Sequence, residues 1–151
     1  MTDTLSPGLD RAVVTCVVDV ALAVEACWRR IGSFGDAGRF LDISSRLVAG
    51  EGDIGSVRQV GEEVLEAMVG RSDASYTYVQ MKGPMAQFLY HGCVMLKATG
   101  PTSCSLTYTI SYDQAPMAPA RREAERTRIS DRFQGAAEAM KRAAERGDRI
   151  Q

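Results

Sequence analysis

The sequence predicts an α+β fold, a curved antiparallel sheet of about six to seven strands around one long C-terminal helix, with two short helices after the first strand. Three observations carry that expectation. The middle of the chain, Ser44 to Asp113, is a succession of short β-patterned runs divided only by Gly, Asp, Ser and Pro. No helical pattern interrupts it, and a parallel sheet would need crossover helices between its strands. The last segment is a single stretch with a 3.6-residue apolar period.

The first strand is Arg11 to Val20 (RAVVTCVVDV), with Val14, Cys16, Val18 and Val20 on one face and Thr15 and Asp19 on the other. The period then changes. Val24, Cys27, Trp28 and Ile31 fall at helical spacing with Trp28 toward the core, and Gly32 stops that helix. Phe34 to Ile43 reads as a second short helix in which Phe40 and Leu41 pack while Asp36, Arg39 and Asp42 stay in water. The expected strands that follow are Arg46 to Ala49, Ser56 to Val60, Glu63 to Val69, Ser75 to Met81, Gln87 to Ala98 and Cys104 to Asp113. The last of these alternates cleanly, with Leu106, Tyr108, Ile110 and Tyr112 on its dry face.

Pro116 and Pro119 open the final helix, where proline is tolerated. Ile129, Phe133, Ala136, Ala137, Met140 and Ala144 make its apolar stripe, and Gly147 is placed to end it. A helix of about 25 residues spans about 38 Å, enough to cross the sheet. A wide sheet wrapped on one helix leaves a gap between them, and that gap is the expected ligand cavity. Residues 1–10 read as a loose lead-in, and 11–151 as a single ligand-binding domain.

The chain has 151 residues, 45% apolar and 25% charged, with a formal net charge of -1. That balance supplies no field for nucleic acid or an anionic membrane, so neither is an expected partner. No signal peptide is visible and no run reaches the ~20 apolar residues of a membrane span. The cysteines, Cys16, Cys27, Cys93 and Cys104, form no C-x-x-C pair and read as reduced thiols, which implies the cytoplasm. With His91 the only histidine, neither a metal site nor another cofactor is expected. Gly50, Gly52 and Gly55 spell G-x-G-x-x-G, but the residues after them read as a strand. A dinucleotide site needs a helix there, so the segment is expected to be a turn.

In this order and spacing the chain resembles the SRPBCC (START-like, helix-grip) superfamily, in its bacterial polyketide cyclase/dehydrase-like branch. The likeness runs from about Val13 to Gly147. It rests on Val18 to Trp28 (VDVALAVEACW), Gly50 to Val60 (GEGDIGSVRQV), Glu63 to Ala67 (EVLEA), Tyr78 to Pro84 (YVQMKGP) and the terminal helix with Phe133-x-Gly135 and Met140-Lys141. Leu22-Ala23 stands where the family often has Ala-Pro. The resemblance implies the helix-grip fold and an internal cavity for a hydrophobic ligand.

Arg58 and Glu63 flank a turn at Gly61, and both are expected to point inward on neighbouring strands, as a structural ion pair or as a polar anchor and base. Tyr76, Tyr78, Gln80, Tyr90, Tyr108 and Tyr112 line the predicted inner face. Tyrosine joins an apolar wall to a polar tip, and a phenol can donate to a developing enolate oxygen. Phe133, on the helix stripe, is the expected wall opposite. The resemblance implies that Phe88, Tyr90 and Val94 face inward and hence that His91, the side chain suited to proton transfer near neutral pH, faces outward. Leu89, Cys93 and Met95 make the other face apolar too, and Gly92 is a candidate bulge that would swap the parity. If outward, it offers a dimer surface. Among the arginines at the start of the helix, Arg122 or Arg126 is placed to guard the cavity mouth.

Two functions compete. One is a cofactor-independent cyclase, dehydratase or other lyase acting on an aromatic or polyketide-like molecule, with Glu63 or His91 as acid–base group and Tyr78 as oxyanion donor. The other is a non-catalytic carrier of a hydrophobic ligand. Both fit a monomer or a homodimer.

Overall fold

The protein is described from a computed structural model over residues 8–147, so residues 1–7 of the expected lead-in lie outside the described residues. The elements are β1 (Arg11–Val20), α1 (Val24–Ile31), a 3-10 turn (Phe34–Asp36), α2 (Gly38–Leu41), β2 (Ser45–Ala49), β3 (Val57–Val60), β4 (Val64–Ser72) and β5 (Ser75–Lys82). A second 3-10 turn (Ala86–Phe88), β6 (His91–Gly100), β7 (Ser103–Asp113) and α3 (Pro119–Arg146) complete the chain. No helix among the described residues is long and apolar enough to cross a membrane.

All seven strands form one sheet in the order β1-β7-β6-β5-β4-β3-β2, every neighbouring pair antiparallel. Strands β2 to β7 are a meander, as the short connections demand. The first strand returns to pair with the last over its whole length, from Arg11 opposite Asp113 to Val20 opposite Cys104. This leaves β1 as an edge, where unpaired carbonyls invite association. Helix α3 covers it: Arg126 donates to Val13 O at 3.0 Å and Lys141 to Asp19 O.

The stripe expected on α3 is buried at every position, with Ala143 added. Its small residues, Ala136, Ala137, Ala143 and Ala144, draw the second half of the helix onto the sheet. The gap therefore lies beside the first half, at Phe133. Gly147 ends the helix at φ 75°, its N–H donating to Ala143 O and Ala144 O.

Two local expectations change. The strand expected from Gln87 begins only at His91, because a 3-10 turn and a left-handed Leu89 (φ 54°) fold Met85 and Phe88 into the core first. Trp28 is half-buried rather than enclosed: it packs at the rim of the core, its ring 5.8 Å from that of Tyr76.

Candidate functional site

The site begins with the β3–β4 hairpin. Gly61 takes φ 65°, and residues 61–63 form the loop, so Val60 sits opposite Val64 and Arg58 opposite Glu66. Directly opposed residues share a face. Arg58 and Glu66 therefore both point inward, 1% and 6% exposed. This corrects the sequence expectation: the inward carboxylate is Glu66, while Glu63 lies in the turn, exposed to water. The strand starts one residue later than expected, and a one-residue shift exchanges the faces.

Arg58 Nε donates to Glu66 Oε1 at 2.8 Å, and Nη2 forms an ion pair with the same oxygen at 2.8 Å. Its Nη1 donates to Phe34 O at 2.9 Å and to the Tyr76 hydroxyl at 3.3 Å. The guanidinium carbon lies 4.3 Å from the Phe34 ring centroid and 4.4 Å from that of Tyr78, so the charge is held between aromatic rings. Burial works against that charge, but Tyr76, Glu66, Tyr78 and Tyr108 outweigh it, and the arginine pKa rises above its usual range. The other Glu66 oxygen, Oε2, receives no donor among the described residues.

Behind this pair stand the tyrosines. The Tyr78 and Tyr108 hydroxyls are 3.0 Å apart. Burial pushes both phenols up, as it does Tyr90, so all three stay protonated at neutral pH. Tyr78 owes its place to Gly92, directly across on β6. A Cβ on Gly92 would lie 2.2 Å from Cζ of Tyr78, so only glycine leaves room for the ring. The register runs through Gly92 unbroken on both sides, and the parity swap considered for it does not occur.

Between this floor and α3 lies a cleft of about 140 Å³. Its apolar walls come from Leu41, Val60, Val64, Pro84, Met85 and Phe133. Its polar groups are Glu66, Tyr78, Gln80, Tyr90, Arg128 and Arg132. Gln80 Oε1 accepts the Met85 N–H at 2.8 Å, which fixes the β5–β6 turn and leaves the amide NH₂ for the cleft. Of the residues singled out from the sequence, Tyr78, Gln80, Tyr90 and Phe133 line the cleft. Arg58, Tyr76 and Tyr108 form the buried support behind it, with Phe133 on the Tyr108 ring at 4.9 Å. Tyr112 is buried away from the cleft, its hydroxyl without a partner among the described residues.

His91 faces outward, in a groove on the opposite side of the sheet with Leu9, Arg11, Leu89, Cys93 and Ser111. Its Nδ1–H donates to Leu89 O at 2.5 Å, since a carbonyl only accepts. The sheet thus separates His91 from Glu66, and His91 does not line the cleft. His91→Gln is expected to leave ligand affinity in the cleft within about twofold of the parent, as for distant, unconnected sites. Titration of both proteins with one cleft ligand measures it, and a larger loss would place His91 in the site after all.

The mouth is guarded by Arg128 and Arg132, not by Arg122 or Arg126. Arg122 donates to Met117 O at 3.1 Å, and Arg126 is held at the β1 edge. A signal was present: Arg128 and Arg132 each precede a stripe residue, Ile129 and Phe133, and so sit at the border of the buried face. Gly50, Gly52 and Gly55, with φ 80°, 107° and 94°, lie in the turn between β2 and β3. Cys16, Cys27 and Cys104 are buried, Cys93 is half-buried, and all four are free thiols. Among the described residues no three His, Cys, Asp or Glu side chains converge.

No family model and no curated protein matches the sequence. Solved structures do match in fold. A Thermobifida fusca protein superimposes with TM-score 0.77 at 19% identity, over 92% of this chain and 97% of that one. Ara h 8.0201 matches with TM-score 0.70 at 16% identity, over 89% and 97%. Norcoclaurine synthase from Thalictrum flavum, solved with dopamine and hydroxybenzaldehyde, matches with TM-score 0.69 at 14% identity, over all of both chains. At these identities the likeness carries the fold alone, a seven-stranded antiparallel sheet gripping one long C-terminal helix.

Proposed function

We propose that the protein takes a small, largely apolar molecule into the cleft and catalyses a lyase- or cyclase-type reaction on it without a cofactor. Glu66, in place of Glu63, takes the proton from a carbon or hydroxyl next to a carbonyl and returns it later in the cycle. The observation that supports this reading is a nearly buried carboxylate lining the cleft among Leu41, Val60, Met85 and Phe133, with one oxygen held by Arg58 and the other uncommitted. A carrier of apolar ligands needs no such group. With Tyr108 donating to Tyr78, the hydrogen of the cleft-lining Tyr78 hydroxyl remains to stabilise an oxyanion.

The cleft volume, about 140 Å³, is close to the ~150 Å³ known to hold a benzene ring. The reading is therefore a single-ring substrate rather than an extended polyketide chain. The neighbouring synthase was solved with two single-ring molecules, which agrees in size. With four free thiols, we place the protein in the cytoplasm.

The test is a screen of single-ring aldehydes, ketones and hydroxy-ketones, followed by Glu66→Gln, which keeps size but cannot take a proton. General acid–base catalysis contributes roughly 10²–10⁴-fold, so kcat is expected to fall by at least about a hundredfold while KM moves far less. Glu63→Gln, in the exposed turn, should retain parental turnover. Full turnover in Glu66→Gln would remove the assignment. Binding without turnover of any candidate would establish a carrier instead.

A further inference from the structure

The two ends of the cleft differ in charge. At the inner end the Glu66 carboxylate is matched by Arg58, and what is left over is a hydrogen-bond acceptor, Oε2. At the mouth Arg128 is engaged by Glu125, which also faces Arg121. Arg132 has no acidic partner among the described residues, so the mouth keeps a positive charge that the protein does not neutralise. Both arginines are close enough to act on the Tyr90 phenol, which lies between mouth and interior. Val60, Met85 and Phe133 supply apolar wall, and the volume of about 140 Å³ suits about one ring.

Building on the reading that the cleft is the ligand site, we infer that its substrate is an aromatic carboxylate, with the carboxylate at Arg132 and a hydroxyl or amino donor at Glu66 Oε2. The orientation follows from cost. Reversed, the ligand would set a carboxylate against Glu66 and leave the mouth cation without a counter-charge. In the proposed pose each polar end meets a group that lacks a partner, and the ring meets Val60, Met85 and Phe133.

The probes are para-hydroxybenzoate, its uncharged isostere para-hydroxybenzamide, and benzoate, titrated into the full chain with amide shifts followed by NMR. Para-hydroxybenzoate is expected to bind roughly tenfold more tightly than the amide, the size of one charge-assisted hydrogen bond. Shifts should appear at Tyr78 and Tyr90 and not at Cys93 on the outer face. Arg132→Gln, a substitution at an exposed position, should remove that preference by weakening para-hydroxybenzoate about tenfold more than the amide. Benzoate should bind roughly tenfold more weakly than para-hydroxybenzoate, because it gives Oε2 no donor.

Equal binding of acid and amide at Tyr78 and Tyr90 would overturn the charge preference while the cleft remains the ligand site. An Arg132→Gln variant that weakens both alike would overturn the preference in the same way. Absence of shifts at Tyr78 and Tyr90 with all three probes would overturn both the substrate class and the cleft reading.

Discussion

Glu66→Ala is expected to lower the unfolding free energy by about 3–5 kcal/mol, the usual consequence of removing one partner from a buried ion pair. Arg58 is 1% exposed, and its neighbours leave it no route to water. Its Nε would lose its acceptor and its Nη2 the paired oxygen at once. The loss would come from the stranded charge more than from the missing attraction. The double variant Arg58→Met, Glu66→Leu should therefore recover most of the stability, to within about 2 kcal/mol of the parent, since an apolar pair of similar volume replaces a buried ion pair at little cost. Urea unfolding of the parent, the single and the double variant measures all three. A stable double variant that no longer binds or turns over a cleft ligand would show that the pair is kept for the site. If the double variant is as unstable as Glu66→Ala, the pair is structural and the assignment of Glu66 to chemistry loses its basis.

Gly92→Ala is expected to cost about 3 kcal/mol, more than most substitutions of one methyl group. The new Cβ would fall on the Tyr78 ring, with its Cζ at 2.2 Å and its hydroxyl oxygen at 2.3 Å. The ring has little room to retreat. Phe34 is 6.4 Å from it centroid to centroid, Arg58 lies over its face, and the Tyr108 hydroxyl meets its own. Overpacking accounts for about 1–3 kcal/mol and the broken hydroxyl pair for about 1 kcal/mol more. Tyr78→Phe, which keeps the ring and loses only the hydroxyl pair, should cost about 1 kcal/mol. Tyr78→Leu added to Gly92→Ala should regain part of the loss. Equal stability of Gly92→Ala and the parent, with the Tyr78 ring signals unmoved, would show that the two strands give way and that Gly92 does not place the ring.

The arrangement divides its work by burial. Arg58, Tyr76 and Tyr108 do not line the cleft and serve by holding Glu66 and Tyr78 at fixed positions. Glu66, Tyr78, Gln80 and Tyr90 reach the cleft. Strands place all of them except Tyr90, which stands immediately before β6.

The strands and the long helix left periodic signatures that located them, though not always their first residue. Leu106, Tyr108, Ile110 and Tyr112 declared the inner face of β7, and Ile129, Phe133, Ala136, Ala137, Met140 and Ala144 declared the buried stripe of α3. Patterns of two and 3.6 residues are properties of one segment, legible without its neighbours. The inward tyrosines and Arg58 followed from the same alternation.

What alternation does not contain is the point at which a strand leaves its turn. The loop of residues 61–63 put Glu66 inward and Glu63 in water, and only the pairing of Val60 with Val64 decided it. The outward side of His91, beside two equally apolar faces, was settled by the ladders on both its flanks. Arg128 and Arg132 became the mouth because α2 and the β5–β6 turn meet that side of α3. These are contacts between segments far apart in the chain. Which faces are dry is written along the chain itself. Which charges share the cavity waits on the pairing of distant segments, because one residue of register moves a side chain from protein to solvent.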